Sequence, residues 1–291
     1  MIIRANAKIN LALDVIGERP NGYHDVRMIM QSVNLYDELK INANNSDCII
    51  LKSDNSEILC DESNLIYRAA KLLQDTVNHH DGVTISLNKN IPVAAGMAGG
   101  STDAAATLVG LNELFGYGLT SKELRDIGVK LGADIPFCIE GGTYLSEGIG
   151  EILTPISDAP DCYLVIAKPD INVSTKYVYD NLVLDNNTRH PDVDYMLSQI
   201  ESNSLTGVAS CLGNILESVT VKKYGIINDI KSVLLREGAL NSLMSGSGPT
   251  VFGIFDNIDS ARRALKILKS EINFKQGFVT DFARKGIDII R

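Results

Sequence analysis

The residues best suited to chemistry lie in one run: Pro92, Val93, Ala94, Ala95, Gly96, Met97, Ala98, Gly99, Gly100, Ser101 and Thr102. Small residues let a backbone approach a polyphosphate, and the free N–H groups of a helix's first turn, aided by the helix dipole, attract its charge. An alternating apolar segment (Val83, Ile85, Leu87) precedes the run and a helical pattern of alanines and leucines up to Phe115 follows it, so the order reads strand, glycine loop, helix. A second glycine-rich element runs from Met244 to Thr250, with Gly246, Ser247 and Gly248 at its centre, and leads into an apolar strand, Val251 to Phe255. One such loop can serve only to pack a helix closely on a sheet; two in one chain favour a phosphate site.

The elements that must position these loops are legible from the periodicity. Ala7, Ile9, Leu11, Leu13 and Val15 alternate with Lys8, Asn10, Ala12 and Asp14, which predicts a strand with Lys8 and Asn10 on one face. A turn cluster, Gly17 to Gly22, separates it from a second β-like stretch through Met28 to Ile41. Leu65, Ile66, Ala69, Leu72 and Leu73 recur at helical spacing, and Thr120 to Glu123 has capping-box spacing for a short helix ending near Gly132. In Gly132-Ala-Asp-Ile-Pro136 the proline biases Ile135 away from helix, which sets Asp134 at a junction before an apolar segment. A buried strand is expected from Cys162 to Ala167 and a helix around Ala261 to Leu268. A division near Pro155 to Pro160 gives two α+β domains, 1–157 and 158–291.

Composition narrows the function. The chain has 291 residues, 45% hydrophobic and 22% charged, which is a globular mixture without disorder signals. A net charge of −9 argues against broad binding to nucleic acid or an anionic membrane, while leaving room for one local anion site. Cys48, Cys60, Cys138, Cys162 and Cys211 are odd in number and widely spaced, the pattern of reduced thiols rather than a disulfide framework or zinc site. The N-terminus has no signal-peptide core and no apolar run approaches the roughly 20 residues of a spanning helix, so a cytoplasmic protein is expected. His79 and His80 sit in a polar segment and read as surface residues. G-x-x-x-x-G-K-[ST], H-R-D, D-F-G, H-E-x-x-H and G-x-S-x-G are all absent. A nucleotide would need another cradle.

Three motifs in order, Ala7-Lys-Ile-Asn-Leu11, Pro92 to Thr102 and Ser245-Gly-Ser-Gly-Pro-Thr250, resemble those of the GHMP kinases. Arg19-Pro-Asn-Gly-Tyr-His24, Gly132 to Pro136 and Gly148-Ile-Gly-Glu-Ile-Leu-Thr-Pro155 are similar to one branch, whose acceptor is a cytidine-diphosphate-linked methylerythritol. The resemblance implies the two-domain α+β GHMP kinase fold, an N-terminal ribosomal-protein-S5-domain-2-like domain followed by a ferredoxin-like one. It also implies transfer of the γ-phosphoryl of ATP, with Mg²⁺, to the acceptor's 2-hydroxyl in the non-mevalonate route to isoprenoid precursors. Asp134 would be the base and Lys8 its electrostatic partner; the two could equally form a structural ion pair. Asn10 would orient substrate or base, or make only a strand-end hydrogen bond. Tyr23 and Tyr179, with Tyr177 as a rival, are implied to sandwich the cytosine, His24 to read its edge unless it is only a turn residue, and Thr175, Gly246, Ser247 and Gly248 to line the acceptor site. The magnesium ligands and the oligomeric state are not legible, although motif position points to Thr102 for the metal. Ala98 stands where glycine is common in the family and puts a methyl near the phosphates, which bears on ATP affinity. A homoserine- or mevalonate-type kinase and a non-catalytic nucleotide sensor are the competing readings; retention of both Lys8 and Asp134 speaks against the sensor.

Overall fold

The alternation near the N-terminus builds two long antiparallel strands, β1 (Ile2–Glu18) and β2 (His24–Ala43). The structure, a computed structural model, describes residues 1–20, 22–185 and 188–290; Asn21 of the Arg19-to-His24 motif lies outside them. The first half continues through β3 (Ile49–Ser53), α1 (Leu65–Val77), β4 (Val83–Asn88), α2 (Gly99–Phe115), α3 (Ser121–Gly128), α4 (Ile135–Glu140), β5 (Thr143–Glu147) and β6 (Ile152–Pro155). The second half comprises β7 (Tyr163–Lys168), α5 (Thr175–Asp180), α6 (Val193–Glu201), α7 (Leu205–Ser210), β8 (Gly213–Asn214) and α8 (Glu217–Lys223). It ends with α9 (Ile226–Arg236), β9 (Asn241–Met244), β10 (Val251–Phe255), α10 (Ile258–Glu271), β11 (Gln276–Asp281) and β12 (Ile287–Ile290).

Two sheets result. The larger has eight strands in the order β12-β1-β2-β4-β3, with β5 on β2, β6 on β5 and β8 on β1; the smaller is antiparallel, β11-β7-β10-β9. Strands β8 and β12 from the second half both return to β1. Every residue of β10 is buried, as a strand covered on both faces must be. Val251 and Phe255 join one core with Leu234 and Ala261, while Phe252 and Ile254 join the other with Ile9 and Met196.

Strand β1 departs from simple alternation. Ile3 and Ala5 pack in one core, Ala7, Ile9 and Leu11 in the other, and Leu13 and Val15 in the first again. The change-overs coincide with register shifts between Asn6 and Ala7 and between Asn10 and Ala12. Such irregularities re-aim side chains, so the expected common face of Ala7 to Val15 is broken, while Lys8 and Asn10 remain within hydrogen-bond reach of each other.

Helix α2 is apolar around its circumference, with Ala104, Ala105, Ala106, Leu108 and Leu111 all fully buried, as befits a helix between a sheet and other helices. Close approach needs Gly110, where a Cβ would meet Ile3 at 2.4 Å and Ile41 at 2.6 Å. The Thr120–Glu123 capping box is formed, but α3 ends at Gly128; a turn, with the Leu131 and Gly132 N–H groups both on the Gly128 carbonyl, carries the chain to Asp134. Pro136 does not keep Ile135 out of a helix: the two open α4, because a proline in the first turn forfeits no helical hydrogen bond.

Candidate active site

The glycine loop between β4 and α2 floors a cleft of about 910 Å³, near the upper end of the roughly 300–1,000 Å³ common for ligand sites. Pro92, Val93, Ala94, Ala95, Gly96, Ala98, Gly99, Gly100 and Ser101 line it, as do Lys8, Asp134, Tyr23, His24, Thr175, Tyr179, Gly246 and Ser247. Elements from both halves of the chain therefore bring most of the expected residues together.

Lys8 and Asp134 arrive from different elements. At the first register shift of β1 the Asn6 carbonyl accepts from the Thr102 hydroxyl (2.8 Å) and the Lys8 N–H donates to the Met97 carbonyl (3.2 Å), which docks the strand on the loop and on α2. The Lys8 ammonium is buried and donates to Asn10 Oδ1 at 2.8 Å; Asp134 Oδ1 lies 3.9 Å away. Asp134 precedes α4, makes no capping hydrogen bond with its side chain and keeps 35% of that side chain exposed. The pair is thus open, a desolvated cation beside a carboxylate with free acceptor capacity. Asn10 is fully buried, with its amide on Lys8 and on Met28 Sδ (3.4 Å), so it orients the lysine and does not itself line the cleft.

The two glycine loops touch. Gly96 has φ +71°, and a Cβ there would sit 2.4 Å from the Ser245 carbonyl, whose own Oγ donates to the Gly96 carbonyl at 2.9 Å. Ala98 also lies in the left-handed region, at φ 56°, where a non-glycine residue costs on the order of 1–2 kcal/mol. Three of the expected loop contacts fall away from the cleft. Met97 is a buried core residue, Gly248 turns inward against Met244, and Thr102 is fully buried with its hydroxyl on Asn6. Adjacent residues of a helix point about 100° apart, so Ser101, not Thr102, presents the hydroxyl here. Thr102→Val is accordingly expected to lower stability by about 1–3 kcal/mol, by orphaning the Asn6 carbonyl, with little change in KM for ATP. Thermal unfolding beside ATP kinetics checks this.

At the other end of the cleft, the Arg19 guanidinium holds Asp25 (2.8 and 2.6 Å) and the Arg19 N–H holds the Tyr23 carbonyl, which fixes the turn carrying Tyr23 and His24. The His24 and Tyr179 rings stand 4.9 Å apart at 37°. That spacing leaves no room for a base between these two rings. Burial, with the Asp134 charge adding, pushes the Tyr179 hydroxyl up to about 12, so it stays neutral. Tyr177 is directed elsewhere, under the Lys223 ammonium at 3.9 Å, which removes it as a stacking candidate. Thr175 Oγ1 and Ser247 Oγ are 2.8 Å apart and join α5 to the second loop.

Sequence reasoning missed Lys89 and Asp103, which flank the loop and line the cleft, and Ile58, Asn64 and Leu65, which also line it. Charges on both sides of a glycine run were the signal for the first two; nothing in the spacing marks the others. Among the described residues no group of three or more His, Cys, Asp or Glu side chains is arranged to hold a metal, and all five cysteines are free. No helix is long and apolar enough to cross a membrane among the described residues.

Residues 64–142 match the family of GHMP kinases N terminal domains and residues 196–273 that of GHMP kinases C terminal domains. Backbone likeness does not separate the members. A crystal structure of 4-(cytidine 5'-diphospho)-2C-methyl-D-erythritol kinase, 29% identical, and one of homoserine kinase from Cytophaga hutchinsonii, 19% identical, both superpose with a TM-score of 0.83. The first match covers 97% of this chain and 99% of that one, the second 100% and 97%. Sequence does separate them. The 4-diphosphocytidyl-2-C-methyl-D-erythritol kinase of Lachnoclostridium phytofermentans is 55% identical over 96% of both chains, and that of Clostridioides difficile is 48% identical over 99% of this chain and 97% of its own. The chain belongs to the 4-diphosphocytidyl-2-C-methyl-D-erythritol kinase family. As a GHMP kinase of this family it is an ATP-dependent small-molecule kinase with the two-domain α+β fold that the motifs imply.

Proposed function

We propose that this kinase transfers the γ-phosphoryl group of ATP to the 2-hydroxyl of 4-diphosphocytidyl-2-C-methyl-D-erythritol, giving the 2-phosphate and ADP, on the non-mevalonate route to isopentenyl diphosphate. The observation that carries the reading is the open Lys8–Asp134 pair, 3.9 Å apart in the same cleft as the glycine loop and the His24 and Tyr179 rings. Phosphoryl transfer requires little beyond alignment, an acceptor for the hydroxyl proton and positive charge near the reacting oxygens. Asp134 takes the proton, since its carboxylate is exposed to the cleft and not committed to a cap. Lys8, aimed by Asn10, holds the hydroxyl and offsets charge in a site where burial strengthens its field.

The triphosphate lies on the Gly96-to-Ser101 backbone at the start of α2. Mg²⁺ fits this site as an ion carried by the nucleotide: it needs few protein oxygens beyond the phosphates, and the Ser101 hydroxyl is a hard donor lining the cleft. When bound it offsets phosphate charge. The cytosine stacks on Tyr179 and Tyr23, with His24 moving aside to read the base edge. We assign residues 1–157 to the ATP-binding domain and 158–291 to its partner, and place the enzyme in the cytoplasm, where ATP and reduced thiols coexist.

ADP release with MgATP and the cytidyl acceptor, run beside homoserine and mevalonate, tests the assignment. Turnover with the cytidyl acceptor alone is expected; turnover with either of the others moves the chain elsewhere among the GHMP kinases, and nucleotide binding without acceptor-dependent ADP release leaves only a sensor. Tyr179→Leu is expected to raise KM for the acceptor about 5–100-fold with KM for ATP within twofold, since base stacking on an aromatic ring contributes about 1–3 kcal/mol. An unchanged acceptor KM would take the base off this ring.

A further inference from the structure

Beneath the phosphate loop, Lys89 lies between two carboxylates, and all three side chains are at most 4% exposed. Its ammonium donates to Asp37 Oδ2 and, at 3.0 Å, to Asp103 Oδ2. Asp37 Oδ1 also accepts the N–H groups of Asn90 (2.6 Å) and Ile91 (2.8 Å), at the entry to the loop. Asp103 sits on α2, at the exit from the loop, one turn beyond Gly99, where a Cβ would come within 2.9 Å of the Lys89 ammonium. The remaining oxygen, Asp103 Oδ1, is buried with no hydrogen-bond partner. Burial, with the neighbouring Asp37 charge adding, pushes the Asp103 carboxyl well above the usual carboxylate range, and buried charged clusters are often no better for stability than apolar side chains of the same volume. What this arrangement supplies is a fixed distance between the two ends of the loop.

We propose that Lys89 is a positioning residue which, through Asp37 and Asp103, ties the entry of the phosphate loop to the helix at its exit, so that the loop is set for ATP before ATP arrives. The idea rests on the placement of ATP at that loop. Without the tie, the ordering of the loop falls due at binding, so nucleotide affinity drops while the acceptor, held by other elements, is unaffected.

The test compares full-length Asp103→Leu, Asp103→Asn and unmodified protein by calorimetric titration with MgATP and with the cytidyl acceptor, and by amide exchange over residues 93–98. Asp103→Leu cuts the tie and leaves the Lys89–Asp37 pair. It is expected to weaken MgATP binding about tenfold, to leave acceptor binding within twofold, and to speed loop exchange until MgATP slows it again. Asp103→Asn, whose amide oxygen still accepts from Lys89, is expected to bind MgATP within threefold of the unmodified protein. A role in stability alone would lower the unfolding temperature of both variants and move neither nucleotide affinity nor loop exchange. Unaltered affinity and exchange in Asp103→Leu overturn the proposal, as does an Asn variant as impaired as Leu. If the Leu variant does not fold, Asp103→Ser, too short to reach Lys89, must give the same loss. Absence of loop protection by MgATP in the unmodified protein is a separate failure, which overturns the ATP placement itself.

Discussion

Asp134→Asn is expected to cut turnover by about 10²–10⁴-fold, the range for loss of a general base, while the protein stays folded. The substitution keeps the shape and removes only the ability to accept a proton. It costs the fold little, because the Asp134 side chain is one-third exposed, makes no capping bond and stands 3.9 Å from its nearest cation. A stability change within about 0.5 kcal/mol is expected, as for a surface position. Single-turnover rates with saturating ATP and acceptor, beside thermal unfolding, decide the matter. A variant that keeps more than a tenth of the rate would mean that the proton leaves by another route.

Lys8→Met should have the second largest effect, a fall of about 10²–10³-fold in kcat from the loss of a buried charge at the reacting oxygens. Stability should move little and in either direction. Removing a desolvated ammonium is favourable, whereas leaving the buried Asn10 Oδ1 without its donor costs about 1–3 kcal/mol. Lys8→Arg is not expected to restore the rate, since the slot is nearly closed to solvent and a planar guanidinium would displace Asn10. If Lys8→Met instead lowers the unfolding temperature sharply and spares kcat, the pair is a structural ion pair. The double variant with Asp134→Asn should be scarcely slower than the worse single one, because the two residues act on one proton transfer.

The phosphate loop, the strand before it and the helix after it could be read from residue types, because glycine content and apolar period are local properties of the chain. The meeting of Lys8 with Asp134 could not be read from spacing at all; it came from motif resemblance, and the register shifts that aim Lys8 depend on how β2 pairs across from it. Thr102 and Ser101 were indistinguishable in sequence, since either hydroxyl suits the chemistry and only the helix phase against β1 separates them. Pro136 misled because its bias acts on the residue before it, a preference that the start of α4 overrides. Lys89 and Asp103 stand on either side of the glycine run in the sequence, but their burial, which follows from tertiary packing, is not written there.

The contact between Gly96 and Ser245 has a consequence for the cleft. Ser245 donates to the Gly96 carbonyl, and the Gly96 Cα lies too close to the Ser245 carbonyl for a side chain to intervene. The second glycine loop is therefore tied directly to the first, and drawing the two apart would break a hydrogen bond inside the cleft. Any side chain at Gly96 would have to push the two glycine loops apart.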